Sequence, residues 1–344
     1  MKQLLLLAVF LPVTLIAQNK RSLSVRKLFD QGVELYNAGK PDEALHSFEQ
    51  CVSEDPTFSE AYLNISFIYL DRKDYAKALE NSKSALKNNR FQPGIYTQTG
   101  KCFYYLEEYD SSIFYLKQGI SFGAKNESDY LYLAKSQASV EQYRESTFNF
   151  SKAIEINPNN VSAFNERGSA YFNLGEYELA RADFEKAIQL NPQSISSITN
   201  LANVLLVLDE NDLALEYIDK GIANASGNNR VQLLILKGNY YKNTGNLEQA
   251  SQAYEEAYTL DQENAVILNN QASVLIDLED YEGALAKCNM ALEIQPEMME
   301  AYFNRGIAHE MLRNVEEACI DWEQAFILGS ELSEEYLNSP ICNE

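Results

Sequence analysis

Two histidines, His46 and His309, and five cysteines are the side chains of this sequence with the most chemistry to offer. A histidine within reach of a serine or cysteine would support nucleophilic catalysis, and a cluster of His, Cys and carboxylates would hold a metal. The histidines stand far apart in the 344-residue chain, and neither a phosphate-cradling glycine loop nor a zinc-type pair of CxxC motifs occurs. Adjacent acids such as Glu107-Glu108, Glu255-Glu256 and Glu316-Glu317 fall at turns or outward helical positions, where solvent covers them. The reading is therefore of a non-enzyme, with no catalytic residue, no metal site and no cofactor expected. A different pattern remains. Amide side chains recur at steps of 34 or 36 residues, or sums of these, at Asn64, Gln98, Asn200, Asn270 and Asn304, with a parallel pair at Asn203 and Asn239. Asparagine is a poor helix-interior residue. Its amide offers donors and an acceptor together, which matches the unpaired N–H and C=O of an extended peptide.

The elements that position these amides follow from a second periodicity. Small residues stand in register at Gly32, Ser66, Gly100, Ala134, Gly168, Ala202, Gly238, Ala272 and Gly306. Each step is 34 residues except the 36 between Ala202 and Gly238. A second series follows at Ala44, Ala78, Ser112, Ser146, Ala180, Ala214, Ala250, Ala284 and Ala318, and a third from Cys51 to Ala325. Between them apolar residues recur at three- and four-residue steps, as in Ala163, Phe164, Gly168 and Tyr171, then Tyr177, Ala180, Phe184 and Ala187. This is the amphipathic helix period, twice per unit. Each unit is thus two antiparallel helices, A and B, that cross at the small residues. Asn157-Pro158 and Asn191-Pro192 end helix B, because proline disfavours helical geometry in the residue before it. The extra residues at Ser226-Gly227-Asn228-Asn229 are expected to lengthen a loop between units.

On these positions the chain resembles the tetratricopeptide repeat (TPR) family, whose 34-residue helix-turn-helix carries matching Gly, Tyr, Ala, Phe and Pro positions. Residues 161–194 match best, through Gly168, Tyr171, Ala180, Phe184, Ala187 and Pro192. The resemblance implies an all-α fold, a right-handed superhelical α-solenoid of nine units over residues 25–330. A lead-in at 18–24 precedes it, and 331–344 form a capping helix and tail with Leu332, Tyr336 and Leu337 on one face. It also implies that helix A lines a concave groove where the fifth, sixth and ninth positions of each unit face a ligand. Asn64, Gln98, Asn200, Asn203, Asn239, Asn270 and Asn304 occupy such positions, with Asn165 and Asn269 beside them. They resemble the asparagine ladder in the TPR superhelix of O-linked N-acetylglucosamine transferases, which grips peptide backbone. The other reading is that the amides cap helices, bond between them or meet water. Phe29 and Val33 stand where the family's carboxylate clamp requires lysine and asparagine, which argues against that mode. Phe29, Phe67, Tyr104, Tyr105, Tyr132 and Phe303 add aromatic surface.

Residues 1–17 read as a secretory signal peptide: Lys2, the apolar run Leu4–Ile16, then Ala17 before a polar segment. The run is short of a membrane span and contains Pro12. With the repeats, it resembles exported TPR proteins of Gram-negative bacteria, implying a periplasmic, outer-surface or secreted location and no membrane span after cleavage. In an oxidising compartment Cys319, in the last helix B, and Cys342, in the tail, are the cysteines expected to pair and tie down the cap, while Cys51, Cys102 and Cys288 read as buried thiols. The formal net charge of −22 disfavours nucleic acid and favours a basic partner, besides aiding solubility. The expected function is binding an extended peptide or protein partner in the groove. The alternative is a scaffold of an envelope assembly that binds through its convex face or ends.

Overall fold

A computed structural model describes residues 22–343; the expected signal peptide at 1–17 and most of the lead-in lie outside the described residues. The first four helix pairs are α1 Leu23–Asn37 with α2 Pro41–Glu54, α3 Ser59–Asp71 with α4 Tyr75–Asn88, α5 Pro93–Tyr105 with α6 Tyr109–Ser121, and α7 Glu127–Ser139 with α8 Tyr143–Ile156. Next come α9 Val161–Asn173 with α10 Tyr177–Leu190, α11 Ile195–Val207 with α12 Asn211–Asn224, and α13 Gly227–Asn243 with α14 Leu247–Leu260. The last pairs are α15 Ala265–Asp277 with α16 Tyr281–Ile294 and α17 Met299–Met311 with α18 Val315–Ile327, followed by short helices α19 Glu331–Leu337 and α20 Pro340–Asn343. No strand occurs among the described residues. The chain forms two compact units, Met1–Ala170 and Tyr171–Glu344.

Every small residue of the three series is buried. The first and second series meet where A crosses B. In the second pair the Ser66 hydroxyl donates to the Ala78 carbonyl at 2.7 Å, and in the fourth the Ser146 hydroxyl donates to Ala134 at 2.9 Å. The glycines of the first series lie under a side chain from helix B. A Cβ on Gly32 would stand 2.6 Å from the Phe48 ring, and one on Gly306 would stand 2.5 Å from Trp322. Where the first position carries more bulk, the facing residue shrinks, as in Ser66 with Ser82 and Ala272 with Cys288.

The turn from A to B repeats too. Its apex residue has positive φ in each pair: Gly39, Lys73, Glu107, Glu141, Gly175, Asp209, Gly245, Glu279 and Arg313. A left-handed residue at a helix end satisfies the last carbonyls, and glycine takes it without a Cβ penalty. Six of the nine apices carry a side chain there. Glu107→Gly and Glu279→Gly are therefore expected to raise stability by about 0.5–1 kcal/mol each, read as a higher denaturant midpoint at unchanged slope.

Two details differ from expectation. The extra residues before Gly238 do not lengthen a loop. They extend helix A, so α13 has 17 residues against 13 in most A helices. No proline follows α12, and Arg230 caps it by donating to the Ile222 carbonyl at 3.0 Å while pairing with Glu256. In α19, Leu332 does not join the packed face. It is exposed, and Ser333 is buried instead, with Tyr336 and Leu337 half-buried. Tyr336 sets this rotation by lying 4.6 Å from the Trp322 ring and 5.3 Å from Phe303.

The tail is joined to α18 by a Cys319–Cys342 disulfide with Cα atoms 5.7 Å apart, and Cys51, Cys102 and Cys288 are buried free thiols. Burial pushes the Cys102 thiol up to about 11 and Cys288 to about 12, so neither forms thiolate near neutrality. Titration with a thiol reagent is expected to find none in the folded protein and three after unfolding without reductant. All five should react only after reduction. Five before reduction would remove the disulfide.

Candidate functional site

The amides sit on A helices. In the first unit Asn64 is half-buried on α3 and makes no side-chain hydrogen bond among the described residues. Gln98 on α5 is a correction to the expected groove set: it is 1% exposed, and its Nε2 donates to Ser66 Oγ at 3.2 Å. The cause lies in the second pair. Ser66 and Ser82 leave space that an aromatic ring fills elsewhere, and Gln98 occupies it beside Cys102. A buried glutamine cannot meet a surface ligand.

The other five amides belong to the second unit. Asn200 and Asn203 are half-buried on α11. From α13 onward the amides bond one another between successive A helices. Asn270 Nδ2 donates to Asn239 Oδ1 at 3.5 Å, and Asn304 Nδ2 donates to Asn269 Oδ1 at 2.8 Å. Asn239 Oδ1 also accepts from the Tyr254 hydroxyl at 2.6 Å. Burial raises the Tyr254 pKa, keeping that hydroxyl a donor. Thus each amide is half engaged. Asn239 Nδ2, Asn270 Oδ1 and Asn304 Oδ1 have no partner among the described residues and are not sealed from solvent. The fixed half orients the free half, so a donor and two acceptors stand on three successive A helices.

The first unit carries an aromatic counterpart. Tyr104, Tyr105 and Tyr132 gather with Tyr75 and Tyr109, their centroids 4.9–5.9 Å apart along the chain of contacts. The Tyr105 and Tyr132 hydroxyls lie 2.5 Å apart. Burial, then the hydrogen bond to Tyr105, raises the Tyr132 pKa; burial, then the Glu166 charge, raises that of Tyr104. Lys101 bridges to Asp129 at 3.1 Å and Lys135 to Glu166 at 3.3 Å, so both cations on this face are paired. Tyr75 and Tyr109 were not singled out from sequence, although tyrosine recurs at the first residue of helix B, at 75, 109, 143, 177 and 281, and that spacing carried the signal.

Among the described residues no three His, Cys, Asp or Glu side chains are grouped to hold a metal ion. His46 lies beside Gln50 in the first unit, and His309 Nε2 is 3.9 Å from Asp321 in the second.

Three tetratricopeptide repeat models match the chain, over residues 35–133, 161–194 and 235–298. The chain is 31% identical over 94 residues to RNA polymerase II-associated protein 3 of Xenopus laevis, a match spanning 27% of this chain and 14% of that protein. It therefore spans well under a fifth of that relative's length. Among solved structures, one of Cut9–Hcn1, an APC/C hetero-tetramer, aligns with TM-score 0.58 and 15% identity over 86% of this chain and 58% of that one. A tetratricopeptide repeat protein from Parabacteroides merdae aligns with TM-score 0.51 and 16% identity over 74% and 100%. At such identity the structural likeness concerns the fold alone.

Proposed function

This chain belongs to the tetratricopeptide repeat family of protein–protein interaction modules, and on that premise we propose that it is an exported, non-enzymatic receptor for an extended peptide. The binding surface is the helix-A face. The observation that carries this reading is the half-engaged ladder of Asn239, Asn270 and Asn304, whose free atoms alternate in kind as main-chain N–H and C=O groups require. Asn64 and Asn203 extend the same surface. The tyrosines of the first unit supply rigid amphipathic contact area. The excess of acidic residues favours a basic partner and works against nucleic acid. Export rests on the apolar run before Ala17, which supports a periplasmic or outer-surface location in a Gram-negative cell. No helix among the described residues is long and apolar enough to cross a membrane.

Scaffolding through other faces is the second reading. It is favoured by the amide–amide bonds themselves, since each stitches one A helix to the next. Capture of partners from envelope extract separates the two. Asn239→Ala, Asn270→Ala and Asn304→Ala together are expected to abolish capture by a variant whose circular dichroism matches wild type. Equal capture by both would make the ladder structural and leave scaffolding.

A further inference from the structure

The acidic excess is not spread along the chain. Residues 171–344 hold 9 Lys and Arg against 30 Asp and Glu, while residues 1–170 hold 19 against 20. Two second units therefore repel each other strongly, whereas a second unit meeting a first unit is nearly free of that penalty.

The first unit offers a receiving surface. A cleft of about 640 Å³ opens where α6 packs on α7 and α8. Ile120, Leu133 and Phe148 line it, with Lys117, Arg144 and Lys152 among the lining residues. Phe148 is 61% exposed. Lys152 pairs with Glu155, but the Lys117 and Arg144 side chains have no hydrogen bond or ion pair among the described residues. Glu145 is the one acid of the lining. An apolar floor beneath unpaired cations suits a helix whose apolar stripe is edged by carboxylates.

The second unit presents such a helix. On α18 the exposed residues Glu316, Ile320, Glu323 and Ile327 follow one another at steps of four, three and four, which places them along one stripe. Ile320 is 58% exposed and Ile327 is 67% exposed. Their seven-residue separation sets them roughly 10 Å apart, two turns of helix. This is the spacing by which an amphipathic helix anchors in a groove.

We propose that a second copy of this chain docks the outer stripe of α18 into the cleft between α6, α7 and α8, Ile320 and Ile327 meeting the apolar floor and Glu316 and Glu323 meeting Lys117 and Arg144. The contact is heterologous, head to tail, so it adds subunits in series instead of closing a two-fold dimer. Its charges are exposed, so salt weakens it.

Sedimentation velocity on the purified chain tests it. Wild type is expected to exceed its 39.0 kDa monomer mass as concentration rises at low salt. It should return toward monomer at high salt. Lys117→Glu with Arg144→Glu, and separately Glu316→Lys with Glu323→Lys, should each stay monomeric. Mixing the two variants should restore association, because the mixture contains one intact cleft and one intact stripe. Each substituted residue is on the surface, and circular dichroism verifies folding. A wild type that stays at monomer mass, variants that associate as wild type does, or a mixture that remains monomeric would each overturn the proposal.

Discussion

Trp322→Ala is expected to destabilise the C-terminal end of the protein by about 3–5 kcal/mol, the cost of emptying a buried aromatic site. Trp322 is fully buried, with Gly306 beneath its ring and Tyr336 of α19 against it at 4.6 Å. Alanine removes the surface on which the short capping helix rests. In a repeat array each unit contacts only its neighbours, so the loss should appear as early unfolding of residues 299–343 while preceding pairs stay folded. Hydrogen exchange resolved by segment checks this: α17 to α19 should lose protection while α13 and α14 keep theirs. The indole N–H has no partner among the described residues. Trp322→Phe should consequently cost much less than alanine, since it keeps most of the ring and removes an unsatisfied donor. The chain has one tryptophan, so wild-type fluorescence reports this end alone.

Arg305→Ala ranks next. Arg305 Nε and Nη2 donate to the two Asp321 oxygens at 2.8 and 2.6 Å, and Nη1 donates to Asn289 at 2.8 Å. The Asp321 side chain is nearly sealed from solvent. Removing the guanidinium leaves that carboxylate buried without its fork. The expected loss is about 3 kcal/mol, the low end for a broken buried pair because Arg305 itself is partly exposed. Equilibrium unfolding in denaturant measures it. Arg305→Met with Asp321→Leu should recover most of the loss, because replacing both partners removes the desolvation penalty along with the attraction.

The helices were legible in the sequence because one rule set them: a small residue at the A–B crossing every 34 residues, which the structure buries in each pair. Departures from expectation arise where a neighbouring volume decides the outcome. Gln98 is drawn inward by the room beside Ser66 and Ser82, which no periodicity of Gln98 itself reveals. Leu332 faces out because Tyr336 has the better site against Trp322. The spacing located the amides, but it could not show that Asn270 and Asn304 would direct one end at a neighbouring asparagine. That depends on the distance between successive A helices, a property of packing. The tyrosine group and the α6–α8 cleft went unread for the same reason, since each joins residues from several helices.

The central claim is that the free ends of the asparagine ladder contact a bound peptide. Its most direct test follows the side-chain amide resonances of Asn239, Asn270 and Asn304 by NMR while the captured partner's binding segment is titrated in, with exposed Asn88 and Asn224 of the B helices as references. The account predicts saturable shifts at the three ladder amides and none at the references. Saturated binding that leaves the ladder amides unmoved would contradict it.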